Sequence, residues 1–307
     1  MYSVDFNCIC VVFIVSTVRE EVIVIVISLI LVLCSGLTHS IWNMFAKQST
    51  DKSVFLWVIY APSTIILLPF LITELNSTSL SAQEWLLLIA SMIMQSIYAA
   101  LLSHTYNVGD LSQVYPIMRG APTLLTPILG VLLLGETMPL LGWFGIVFML
   151  AGFFVMLGPI KQTISNKAAI KPIFLALTVG LCITTYTIID KANLSSITPL
   201  ALLVITNIGF LLGLTPAALN RKRLKQALID NKKIIWLGAI LSPGSYFLFL
   251  LAAQHTAVSM VAPMREVGIV FGTLLGFFVL KESQGLRRIA ASIAVVIGII
   301  VIAGASV

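Results

Sequence analysis

Long apolar runs alternate with short polar breaks along nearly the whole chain. Ten runs approach the ~20 residues that a helix needs to cross hydrocarbon. They lie at about 22–45, 53–73, 83–104, 111–135, 138–158, 172–190, 198–219, 234–254, 257–281 and 284–305. None shows the ten-residue alternation of a membrane β-strand, so the pattern predicts an all-α polytopic membrane protein. The first 21 residues read differently. Residues 8–18 are apolar but too short to span, and Arg19-Glu20-Glu21 separates them from the first run. No Lys or Arg precedes them, which argues against a secretory leader; they read as an interfacial stub or as the product of a start site placed too early.

The fourth run breaks its own rule. Residues 109–136 carry Pro116, Pro122 and Pro127, and a charge, Arg119, inside the apolar stretch. Arg119 sits about eight residues into the span, or ~12 Å deep at the helical rise. Proline frees a backbone carbonyl that lipid cannot satisfy, and a charge in hydrocarbon is costly. This segment therefore faces other helices or a watery cavity.

The same arrangement returns 146 residues later. Arg265 falls opposite Arg119, Gly276 opposite Gly130 and Glu282 opposite Glu136, while Gly152 and Gly158 match Gly298 and Gly304. Near the start of each half, Gly36-Leu37-x4-Trp42-x4-Lys47 recurs as Gly180-Leu181-x4-Tyr186-x4-Lys191, offset by 144. The chain divides into the stub 1–21, a first repeat 22–158, a polar connector 159–171 and a second repeat 172–307. Each repeat holds five spans. Five is odd, so the second copy runs through the membrane upside down. Inverted repeats around a mid-membrane site are a recurring transporter architecture.

Composition narrows the functions. The chain is 59% hydrophobic and 10% charged, with mean hydropathy +1.07. Its net charge of +6 sits mostly in loops, which suits cytoplasm and anionic lipid rather than nucleic acid. Of the 18 Lys and Arg, 14 follow spans 1, 3, 5, 7 and 9; only Arg19 and Lys191 lie on the other side. The positive-inside rule makes the rich side cytoplasmic and places the termini outside. Cys8, Cys10, Cys34 and Cys182 have no metal-ligand spacing with histidine and read as small packing residues. Nucleophile-elbow, zinc-helix and phosphate-loop motifs are absent from the sequence, so it offers no enzyme and no direct ATP coupling.

Ten spans in two halves, Thr38-His39-Ser40-Ile41-Trp42-Asn43 in the first, Gly109-Asp110-Leu111-Ser112-x2-Tyr115-Pro116-x2-Arg119-Gly120 in the fourth and Gly135-Glu136 at its end resemble the EamA family of the drug/metabolite transporter superfamily. The likeness covers roughly residues 23–305. The second half departs from it, with Glu266 after Arg265 and Lys281-Glu282 at the end. The resemblance implies an exporter of amino acids, other metabolites or drugs, in a bacterial inner membrane, with cytoplasmic termini. That orientation opposes the one the charges give.

The expected substrate-binding residues are Arg119, Tyr115, His39, Trp42, Asn43, Tyr98, Tyr186, Tyr246 and Arg265. His39, Trp42 and Asn43 share one helix face, as do Tyr186, Thr187 and Asp190. Glu266 is the candidate proton carrier, or else the partner of an arginine. Asp190 reads as an interfacial charge, and Glu136 and Glu282 as structural residues at the water boundary. Arg119 has no acidic neighbour in its own span, which marks it as the free cation and predicts an anionic or zwitterionic solute. The expected function is a secondary transporter working by alternating access; the rivals are a nucleotide- or lipid-linked sugar carrier and a non-transporting scaffold or embedded enzyme. The expected partners are the small-molecule substrate and the lipid bilayer, with a homodimer as the candidate assembly. No cofactor, metal or nucleic acid is expected.

Overall fold

The computed structural model describes residues 6–108, 111–157, 167–230, 232–279 and 285–305, without the side chains of 6–21, 47, 111–113, 167–169 and 233. Gly109-Asp110, most of the connector, Gly158 and Lys281-Glu282 lie outside the described residues. The chain forms α1 (Phe6–Gln48), α2 (Lys52–Ser77), α3 (Ala82–Val108), α4 (Leu111–Leu134), α5 (Leu140–Leu157) and α6 (Lys167–Asn193). There follow α7 (Pro199–Ala218), α8 (Arg221–Asp230), α9 (Lys232–His255), α10 (Val258–Met264), α11 (Val267–Phe278) and α12 (Leu286–Ala305). Ten of the stretches are long and apolar enough to span, α10 and α11 together making the ninth.

Three details differ from the sequence reading. The helix of the first span begins at Phe6, so the backbone does not break at 19–21. The basic segment after the seventh span is the helix α8 rather than a loop. The prolines do not interrupt α4, whereas the ninth span is broken at Arg265 and Glu266. There the ladder tightens: Glu266 N donates to Pro263 O at 3.0 Å and Gly268 N to Arg265 O at 3.2 Å, both three residues back. Pro263 lies immediately before this break. In α4 Thr123 Oγ1 donates back to Arg119 O, one turn earlier, at 2.7 Å.

The protein is two inverted five-helix repeats, and its packing repeats in kind. Three contacts join a span to its own counterpart: α2 with α7, α5 with α12, and α4 with α10. The most extensive of the others come in pairs, such as α1 on α9 with α6 on α3, and α1 on α11 with α6 on α4. Two glycines show the correspondence at atomic scale. A Cβ on Gly36 would lie 3.1 Å from Gly268 N and 3.3 Å from Arg265 O. A Cβ on Gly180 would lie 2.8 Å from Ala121 Cβ and 3.3 Å from Met118 O. Each repeat thus presents a first-helix glycine to the arginine segment of the other. Small residues permit such approach where no water drives helices together.

The surface is apolar, and the charged and strongly polar groups of the spans lie inside. Ile65, Leu132, Phe174, Trp236 and Ile240 face outward, while Arg119, Glu266, Asp190, Gln95 and Asn207 are buried. That inversion suits lipid, where intramembrane polar groups face the bundle interior.

Candidate functional site

Three cavities meet along the repeat interface. The largest, about 160 Å³, lies where α1 ends and α2 and α4 begin, and includes Trp42, Asn43, Tyr115 and Gly272 in its wall. Lys52 and Arg288 place it toward the basic side. A second of about 30 Å³ sits at the centre, among His39, Trp42, Tyr98, Arg119, Tyr186, Tyr246 and Arg265. A third of about 10 Å³ lies between them, touching Tyr115, Asn43, His39 and Arg119. Trp42 is common to all three.

Every expected substrate-binding residue lines at least one of these cavities; Glu266 lines none of them. The rings form a continuous wall. Tyr98 stands 5.3 Å from Tyr186, which stands 6.0 Å from Tyr246, which stacks 5.7 Å from Phe249. His39 meets the Trp42 ring edge-on at 4.9 Å. Asn43 turns back to its own helix, donating to His39 O at 2.9 Å.

The two arginines differ, and in the opposite sense to the sequence reading. Arg119 does have a counter-ion: its Nε is 3.2 Å from Glu266 Oε2. The contact is within ion-pair reach but not aligned for a hydrogen bond, since Arg119 Nε, its Nη2 and Glu266 Oε2 have no hydrogen-bond partner. The carboxylate comes from the other repeat, so no inspection of Arg119's own span reveals it. Arg265 is the arginine with neutral partners. Its Nε donates to Ser35 Oγ at 3.1 Å and an Nη to Ser245 Oγ at 3.3 Å. Its guanidinium lies 5.4 Å from the Tyr246 ring and 4.9 Å from Phe249. Among the described residues no carboxylate lies within ion-pair distance of it.

Most of the buried polar atoms without a hydrogen-bond partner gather at the central cavity. His39 Nδ1, Trp42 Nε1, two nitrogens of Arg119, Asn207 Nδ2 and Ser242 Oγ belong to five side chains that line it, while Ser259 Oγ and Glu266 Oε2 lie outside it. Buried polar groups are ordinarily satisfied. Such a convergence suits a polar guest.

Sequence reasoning missed Tyr60, Gln95, Asn207 and Ser242, whose only signal is polarity within an apolar span. It also misplaced Asp190, which is not interfacial. Asp190 is 1% exposed and accepts from Ser91 Oγ and Tyr246 OH. Three residues before the helix end is still inside when α3 and α9 cover that end. Glu136 is structural, as expected, but sits at a helix terminus of the other repeat. Its carboxylate accepts from Val258 N at 2.7 Å and Ser259 N at 2.8 Å, closing the start of α10. Gly135, at φ +66°, turns the chain for this. Gly130 leaves room, since a Cβ there would lie 2.7 Å from Glu136 Oε2.

Comparison with known proteins decides the family. The sequence profile of the EamA-like transporter family matches residues 26–158 and again 170–304. The chain belongs to the EamA-like transporter family. The two matched segments are the two repeats of this EamA-like protein, which makes it a multi-pass membrane transporter in the drug/metabolite superfamily. No curated protein matches it by sequence. Among the solved structures that resemble it, one crystal structure does so with a TM-score of 0.63 at 12% identity, covering 91% of this chain and 96% of that one, a likeness of fold. Among the described residues no His, Cys, Asp and Glu group is placed to hold a metal ion.

Proposed function

We propose that this EamA-like protein is a secondary transporter that exports small organic solutes carrying an anionic group, with amino acids and related zwitterions the simplest case. The observation that carries the reading is Arg265, a cation with neutral partners beside a central cavity rich in unpartnered donors. A guanidinium keeps its charge when buried and forks onto a carboxylate or phosphate. Tyr98, Tyr186, Tyr246 and Trp42 supply stacking surfaces; His39, Asn43 and Tyr115 supply polar contacts. Glu266 serves as the counter-ion of Arg119 and ties the repeats together.

At about 30 Å³ the central cavity holds roughly one water molecule's share of volume. Binding therefore requires the repeats to part, and the larger cavity marks the basic side as the route in. Alternating access follows from an inverted pair that opens first at one face and then at the other. The setting we assign is a bacterial inner membrane with the basic face in the cytoplasm.

The test is a metabolite-release screen in cells with and without the protein. Release of anionic or zwitterionic solutes is expected, lost in Arg265→Gln and little recovered in Arg265→Lys, whose point charge lacks the fork. Release of purely cationic solutes, or full release by Arg265→Gln, would overturn the proposal.

A further inference from the structure

The central cavity ends, on the Lys- and Arg-poor side, at a buried acid. Asp190 lies one turn before Asn193, the last residue of α6. Its carboxylate accepts from Ser91 of α3 and Tyr246 of α9, and Gln95 of α3 lies beside it. All three are neutral. Among the described residues no cation lies within ion-pair distance of Asp190.

The charged and titratable groups around it do not neutralise it. On α6, Lys191 turns away and donates to Ala253 O at 2.6 Å and Thr256 O at 3.2 Å, where Glu136 faces it. Tyr186, one turn back on α6, faces the cavity. From α3 come Tyr98, in the cavity wall, and Glu84, held by Ser81 and Ser196 beyond the end of α6. From α4 comes Arg119, already paired with Glu266. From α9 comes Tyr246, with Arg265 on its ring. The α10 segment Val258–Met264 contributes no titratable side chain.

Hydrogen bonds soften a buried negative charge without cancelling it. A proton cancels it. Glu266 has no such need, because Arg119 balances it. Asp190 lies between the central cavity and the end of α6. Its donor Tyr246 and its neighbour Gln95 line the central cavity. On the other side it is one helical turn from the end of α6, covered by α3 and α9. The repeat makes the acid single: the equivalent position in α1, 144 residues earlier, is the buried Ala46.

We propose that Asp190 is the coupling-proton site of this transporter. A hydronium ion at one face gives its proton to a carboxylate oxygen of Asp190, breaking its own O–H bond and leaving water; the new O–H of Asp190 then breaks as the proton passes to water at the other face. In the conformation described here the site communicates with the central cavity; when α3, α6 and α9 part, it meets water at the Lys- and Arg-poor face. The coupling role rests on the transporter reading, whereas the proton site does not depend on the solute.

The test uses the full-length protein in lipid nanodiscs, titrated between about pH 5 and pH 9 by infrared difference spectroscopy of protonated carboxyls. A titrating carboxyl band is expected that Asp190→Asn removes and Glu266→Gln retains. Tyr246→Phe should keep the band and move its midpoint by about one pH unit, the order of one hydrogen bond to a charged group. Should Asp190→Asn fail to fold, Asp190→Glu must alter the frequency of the band. Absence of a titrating carboxyl, or a band indifferent to substitution at Asp190, overturns the proposal. Once a released solute is known, Asp190→Asn should exchange it at equal pH but lose accumulation driven by a pH gradient. Unchanged gradient-driven accumulation, or loss of both activities, overturns the coupling role. Failure of the wild type to move any solute refutes the transporter reading and leaves the infrared result standing.

Discussion

Arg119 Nε stands 3.2 Å from Glu266 Oε2, and the two residues come from opposite repeats. Their side chains are 9% and 6% exposed, so removing one partner strands the other's charge. Arg119→Gln or Glu266→Gln should each cost about 3–5 kcal/mol of stability. The double variant should recover most of that loss, because no lone charge remains. Thermal unfolding of the four proteins in detergent checks this; additive losses in the double variant would show that the pair does not couple.

The glycines of α7 make a graded prediction. The carbonyl oxygens of Met92 and Ser96 occupy the places where Gly209 and Gly213 would carry a Cβ. Backbone cannot swing aside, so Gly209→Ala and Gly213→Ala should each cost about 1–3 kcal/mol. Gly272 has nothing within 4 Å, so Gly272→Ala should unfold like the wild type. Unfolding midpoints read all three.

Glu136 joins the end of the fourth span to the start of the ninth through two backbone amides. Glu136→Gln keeps the shape but loses the charge and one acceptor, and should cost about 1–3 kcal/mol, the range for hydrogen bonds to a charged group. Hydrogen exchange at Val258 and Ser259 should quicken with it. Unchanged exchange there would remove Glu136 as their partner.

Much of this was legible in the chain itself. Ten apolar runs and an offset of 146 give the spans, the halves and their inversion, because membrane crossing demands length and apolarity, and five crossings demand reversal. The same regularity found the arginines and the aromatic wall, since polar side chains stand out against an apolar span. What a single span does not reveal is its partner. Glu266 neutralises Arg119 from 147 residues away, and Asp190 is covered by α3 and α9. The site of helix breakage also depends on neighbours: α4 stays helical through three prolines, while the ninth span parts at Arg265.

Orientation has a direct test. With 14 of 18 basic residues on one side, α8 should lie in the cytoplasm. After replacement of the native cysteines, a cysteine at Asn220 should resist a membrane-impermeant maleimide in intact cells and react after permeabilisation. Labelling in intact cells would reverse the assignment.

The seam between α5 and α12 bears on how such a protein turns over. A Cβ on Gly152 would lie 2.9 Å from Ala291 O, and one on Gly298 would lie 2.5 Å from Gly145 O. Shifted by 146 residues, the first contact becomes the second. The seam therefore packs in the same way when the two repeats are exchanged, glycine against the carbonyl of a small residue on each side. A contact of that kind contributes equally to a form open on one face and a form open on the other. Tightening or loosening it changes how firmly the halves are held without tilting the balance between the two forms. With Asp190 as the proposed proton site, a bias between the two forms would come from positions where the copies disagree, such as Asp190 against Ala46.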